Sequence, residues 1–92
     1  MLRLHAAELE SKLAEHARLE RSLGRYKAQL IPLAEQRVAL TLAAYRAGTG
    51  SLQTVVAARS ALLEAALEAV EVERAGRALG ADIHFAYQEA LP

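Results

Sequence analysis

Cysteine is absent from the 92 residues, which rules out disulfides and thiolate metal sites and fits any compartment. Aromatic residues number only four: Tyr26, Tyr45, Phe85 and Tyr87. Residues that favour strands are scarce and never alternate over a useful length, so a sheet has little to be built from. Neither sign of charge is in excess, with eleven basic residues against eleven acidic ones, interspersed along the chain. A nucleic-acid binder would carry a basic excess on one face, and none is evident. No apolar run reaches the ~20 residues of a membrane span, and Met1-Leu2-Arg3-Leu4-His5 turns polar without the apolar core of a signal peptide.

What is abundant is alanine and leucine. There are 21 alanines and 16 leucines, the two residues that best support an α-helix. Small alanines also let helices approach closely. The composition therefore predicts an all-α protein of packed long helices, because a compact core is marginal at this length.

The first periodic segment spans about residues 2–47. Leu9, Leu13, Leu23, Tyr26, Leu30, Leu33, Leu40 and Ala44 recur mostly at steps of three and four, close to a coiled-coil seam, with His16 and Arg37 also at seam positions. Pro32 removes one backbone bond, the one to the carbonyl of Ala28, so a kink or break is expected just before it, aided by Gly24. As one helix, these residues would extend roughly 68 Å at ~1.5 Å each.

Gly48-Thr49-Gly50-Ser51 ends that segment. Gly48 suits the left-handed closure of a helix, Arg46 suits its negative end, and Ser51 or Thr49 suits the N-cap of the next. So short a link predicts an antiparallel αα-hairpin with its tip turn at 48–50. The second helix is expected over about 51–79, with Gly76 and Gly80 loosening its end and a tail at 80–92 able to hold a further short helix. It carries two adjacent apolar stripes: Val56, Leu63 and Val70, and beside them Val55, Leu62 and Ala69. Leu52, Ala66 and Leu67 widen this surface beyond what one partner helix needs, so neighbours on more than one side are expected.

Candidate sites are few. His5 and His16 lie three helical turns apart on one face, but eleven residues separate them by roughly 16 Å, too far to share one zinc. His84 has no second strong ligand at helical spacing, so no metal and no cofactor is expected. No nucleophile stands with a base and an orienting group, and Gly48 and Gly50 lack the strand and lysine of a phosphate loop, so no enzyme is expected. Arg18, Arg21 and Arg25 share a face with interspersed Glu10, Glu15 and Glu20, as on a solvated helix. The exposed tip reads either as a docking element on a rigid scaffold or as the glycine turn any helical hairpin needs.

The stretch Leu30-Ile-Pro-Leu-Ala-Glu-Gln-Arg-Val-Ala-Leu-Thr-Leu-Ala-Ala-Tyr-Arg-Ala-Gly-Thr-Gly-Ser-Leu52, continued by Val55-Val-Ala-Ala-Arg-Ser-Ala-Leu-Leu-Glu64, resembles the TolC-type outer-membrane efflux family. The likeness covers about residues 30–79 and is nearest to the branch serving heavy-metal and related exporters driven by RND pumps. The resemblance implies the second periplasmic hairpin of a subunit whose trimer forms an outer-membrane duct. It implies that Gly48, Thr49, Gly50, Ser51 and Leu52 dock a periplasmic adaptor linking the duct to an inner-membrane pump, and that the positions just after the turn face the closing aperture. There some members carry aspartates, whereas this chain has Thr54 and Ala57, so an acidic cation-binding gate is not expected. On that likeness the chain would be a fragment of a longer protein or a shortened reading frame, periplasmic in place and without membrane insertion of its own. Its wide apolar faces would drive self-association, most simply of two hairpins into a four-helix bundle. The rival expectation is a free-standing helical hairpin that oligomerises or binds partner helices. A weaker third is a periplasmic metal-binding helical protein.

Overall fold

The computed structural model describes the backbone of residues 2–90 and the side chains of residues 6–89. The chain is an all-α helical hairpin. Helix α1 (Leu2–Arg25) passes into a π-helical turn (Tyr26–Leu30), which passes into α2 (Ile31–Arg46); after the link, α3 runs over Leu52–Ala90. No strand occurs among the described residues.

The π turn is the answer to Pro32, which stands in the first turn of α2. Its missing N–H and its ring both conflict with the carbonyl four residues back in an ordinary α-helix. Widening the preceding turn by one residue moves that carbonyl away. Ile31 N–H accordingly donates to Tyr26 O, five residues back rather than four. Backbone angles stay right-handed helical at Arg25, Leu30 and Ile31. The irregularity expected just before Pro32, a kink or a break, takes the form of a π-helical bulge.

The inserted residue shifts the seam. Beyond Tyr26, half-buried positions fall at Ile31, Ala34, Val38 and Thr41, a five-residue step followed by threes and fours, with Leu42 and Ala44 also half-buried at the end of α2. Extending the upstream spacing without the bulge would instead select Leu30, Leu33, Arg37, Leu40 and Ala44, the stripe expected from sequence. Of these only Ala44 is half-buried, while Leu33 is 60% exposed and Leu40 72%.

The second helix does not stop near Leu79. It continues through Gly76 and Gly80 to Ala90, so the described part of the 80–92 tail is one with α3; Leu91 and Pro92 lie outside the described residues. Two isolated glycines cost about 1 kcal/mol each against alanine, too little to end a packed helix.

Backbone contacts divide the chain into two units. One joins α1 up to Leu23 with α3 from Glu71 onward, and the other is Gly24–Val70. In the first, Leu9, Lys12, His16, Leu19 and Leu23 are half-buried on α1, and Val72, Gly76, Leu79, Ile83 and Ala86 on α3. Lys12, rather than the expected Leu13, holds the second seam position; its Nζ lies 2.8 Å from Asp82 Oδ2, which pushes the ammonium pKa up. Next along α1, the His16 ring lies over Gly80, where an added Cβ would stand 3.3 Å from Nε2.

In the second unit the seam of α3 is Val55, Ala58, Leu62, Ala65 and Ala69. Val55, Ala58 and Ala69, the buried apolar side chains of the fold, are only 4%, 4% and 6% exposed. Of the two stripes expected on α3, the one through Val55, Leu62 and Ala69 is packed. The one through Val56, Leu63 and Val70 is exposed, as are Leu52 and Leu67.

Candidate functional site: the tip and its flanking apolar rows

The tip is built by two caps placed back to back. Ala47 N–H donates to Ala43 O at 3.0 Å, completing α2. Gly48 then takes φ +80°, a left-handed conformation open to glycine at little cost. Gly48 N–H reaches Tyr45 O at 3.1 Å and Thr49 N–H reaches Ala44 O at 2.9 Å, the paired bonds of a Schellman closure. Ala44 O also accepts from Gly50 N–H at 3.1 Å and from the Thr49 hydroxyl at 3.2 Å. Gly50 is held against α2: a Cβ there would sit 3.0 Å from Ala44 Cβ and 3.3 Å from Tyr45 N.

Ser51 opens α3. Its Oγ accepts from Thr54 N–H at 3.2 Å, and the two hydroxyls lie 2.8 Å apart. Ser51 is thus the N-cap and Thr54 the third helical residue, whose hydroxyl meets the Ser51 hydroxyl rather than the Ser51 N–H that a capping-box acid would take. Thr54 was expected as an aperture-facing candidate; its hydroxyl is engaged in capping. Ala57, its companion, is exposed on α3.

The five tip positions, Gly48, Thr49, Gly50, Ser51 and Leu52, are all exposed. Their backbone is fixed by hydrogen bonds rather than by burial. The structure therefore brings together a rigid, uncharged tip ending in the exposed Leu52 side chain.

Two apolar rows flank the packed seam of this unit. On α3, Leu52, Val56, Leu63, Leu67 and Val70 are each more than half exposed. At about 100° per residue they fall within an arc of roughly 60°, centred roughly 125° from the α3 seam. On α2, Leu33 and Leu40 lie roughly 130° from their own seam, offset in the opposite sense along the sequence. For antiparallel helices, opposite offsets place the two rows on opposite faces of the unit. Sequence reading expected a wide apolar surface but could not separate packed from open rows on α3, and it placed the α2 row in the seam.

The remaining polar groups are solvated pairs. Arg18 holds Glu15 through Nε at 2.9 Å and through Nη2, which pulls the Glu15 pKa down; Arg77 meets Glu73 at 2.8 Å. His16 Nδ1 stands 3.7 Å from Glu20, His84 is exposed, and the side chain of His5 lies outside the described residues. No group of three or more metal-ligating side chains occurs among the described residues, and no helix among them is long and apolar enough to cross a membrane.

Comparison with protein-family models, curated proteins and solved structures finds no match.

Proposed function

We propose that this chain is a hairpin of the periplasmic α-helical wall of an outer-membrane efflux duct, with a structural and adaptor-docking role. The observation that carries the reading is the pair of exposed apolar rows on opposite faces of the tip-bearing unit. A helical pair designed to stand alone turns its leucines inward. One that leaves a row open on each face is suited to a position between two neighbours, as a stave stands in a barrel. The rigid tip then projects where a partner can meet it, and Leu52 supplies its apolar contact. Transported substrate would pass along the assembled wall, with no chemistry performed by this chain. The resemblance of residues 30–79 to the TolC-type family points the same way and names the partner class: a periplasmic adaptor serving an inner-membrane pump, with heavy-metal export as the nearest branch.

The test is binding to the isolated α-hairpin of a periplasmic adaptor, followed by fluorescence anisotropy of the labelled chain. The expected result is saturable binding that Leu52→Asp or Thr49→Lys abolishes while helix content is unchanged. Absence of binding by the wild-type chain, or binding indifferent to both substitutions, would remove the docking role. A free-standing oligomerising hairpin would then be the better account of the same rows.

A further inference from the structure

We infer that two copies of this chain pair through α3, antiparallel, about a two-fold axis passing near Leu63. The inference does not rest on the duct reading: it concerns the chain by itself in solution, where no neighbouring hairpin of a wall covers the row.

The surface to be covered is large. A folded monomer of 9.9 kDa exposes about 5200 Å², whereas this chain exposes 7300 Å². The excess, about 2100 Å² per copy, exceeds the ~800 Å² that each partner gives up in a standard interface.

The α3 row is the better of the two for this. Leu52, Val56, Leu63, Leu67 and Val70 follow steps of four, seven, four and three, the spacing of a coiled-coil seam. Between Leu52 and Val70 no charged residue falls within their arc; Arg59 stands just outside it, and Arg74, one turn beyond Val70, falls inside it. On α2, by contrast, Arg37 lies among Leu30, Leu33 and Leu40, and an interface core is depleted of charge.

The centre of the row also matches itself when reversed. Val56 and Val70 lie seven residues to either side of Leu63. In an antiparallel pair, Val56 of one copy faces Val70 of the other and Leu63 faces Leu63, an isologous contact whose apolar layers are these central three, bounded where Leu67 meets Arg59 and Leu52 meets Arg74. Because the α2 row lies on the opposite face, this pairing does not cover it, so the contact is α3 on α3 rather than a closed four-helix bundle.

The absence of native cysteine makes the register directly readable. Single substitutions Leu63→Cys, Val56→Cys, Val70→Cys and Leu40→Cys all fall on exposed positions and leave the packed seam untouched. Light scattering of the wild-type chain should give twice the monomer mass. On mild oxidation, Leu63→Cys should cross-link to itself. Val56→Cys and Val70→Cys should cross-link only when mixed with each other. Monomer mass at all concentrations would overturn the inference, as would self-cross-linking of Val56→Cys and Val70→Cys, the mark of a parallel pair. A bond between Leu63→Cys and Leu40→Cys would overturn it too, and would show instead the head-to-tail contact of a wall. Leu63→Glu should abolish the dimer without loss of helix content; a dimer that survives this change does not use this row.

Discussion

The Tyr26 hydroxyl donates a 2.6 Å hydrogen bond to Glu68 Oε2, joining residues 42 apart in sequence. Tyr26 opens the π turn, so this bond ties the irregular turn to α3. It is also the main cause that pushes the phenol pKa above its ordinary 10.0, reinforced by burial and the carboxylate charge and opposed by Arg25.

That shift fixes the sign of a pH effect. A folded-state value above the unfolded one means the contribution is complete below about pH 10 and declines as pH rises through the folded value. Lys12, raised by Asp82, loses its contribution in the alkaline range as well. Urea midpoints measured upward from about pH 9 should therefore fall, and Tyr26→Phe should flatten part of that fall. Ultraviolet titration of the wild type against Tyr26→Phe should show that the phenol removed ionises above its ordinary range.

Two tip glycines should resist replacement. Gly48→Ala forces a side chain into the left-handed region, at about 1–2 kcal/mol. Gly50→Ala drives its Cβ against Ala44 and the backbone of Tyr45, at about 1–3 kcal/mol. Gly24→Ala meets nothing within 4 Å and should stabilise the helix by about 0.5–1 kcal/mol. Thermal unfolding of the three variants checks the order, and a neutral Gly50→Ala would contradict the close approach.

Removing the Ser51 hydroxyl should cost about 1 kcal/mol, because Thr54 N–H loses its acceptor at the first turn of α3. Ser51→Asp should retain the cap, since a carboxylate accepts the same bond at the positive end of the helix. Denaturation of the two variants side by side reads the difference.

Neighbouring valines should behave unalike. Val55→Ala empties a buried seam position and should cost about 1–2 kcal/mol. Val56→Ala, one residue on and 56% exposed, should stay within about 0.5 kcal/mol when measured on the dilute monomer. Equal losses would mean that the two rows on α3 are wrongly separated.

The hairpin was legible because its signals are local. Alanine and leucine at helical spacing mark the arms, and Gly48 with Ser51 marks the turn down to its cap. The seam on the first arm was not, because its phase depends on what the backbone does at Pro32. A kink keeps the three-and-four spacing through Leu33 and Leu40, whereas a π turn advances it to Ala34 and Val38. Composition does not distinguish the two. On α3, Val55 and Val56 are the same residue type at adjacent positions, and only the partner helix decides which is buried. Helix in the tail was within the expectation but its continuity with α3 was not legible, because Gly76 and Gly80 signal a loosened end, although His16 packs over Gly80. At the tip, the glycine turn was legible, and of the two cap candidates, Ser51 and Thr49, the hydrogen bond from Thr54 N–H selects Ser51. The engagement of Thr54 with Ser51 was not legible, because threonine replaces the glutamate that usually betrays a capping box.

One consequence of the bulge concerns counting. From Tyr26 to Thr41 the outgoing arm passes five seam positions in fifteen steps of chain, while α3 passes five from Val55 to Ala69 in fourteen. The first arm thus carries a spare residue, parked where Pro32 would have disturbed an ordinary helix in any case. Two strips of unequal length are kept in step by gathering the slack at one stitch, and the half-buried row of α2 takes its phase from there.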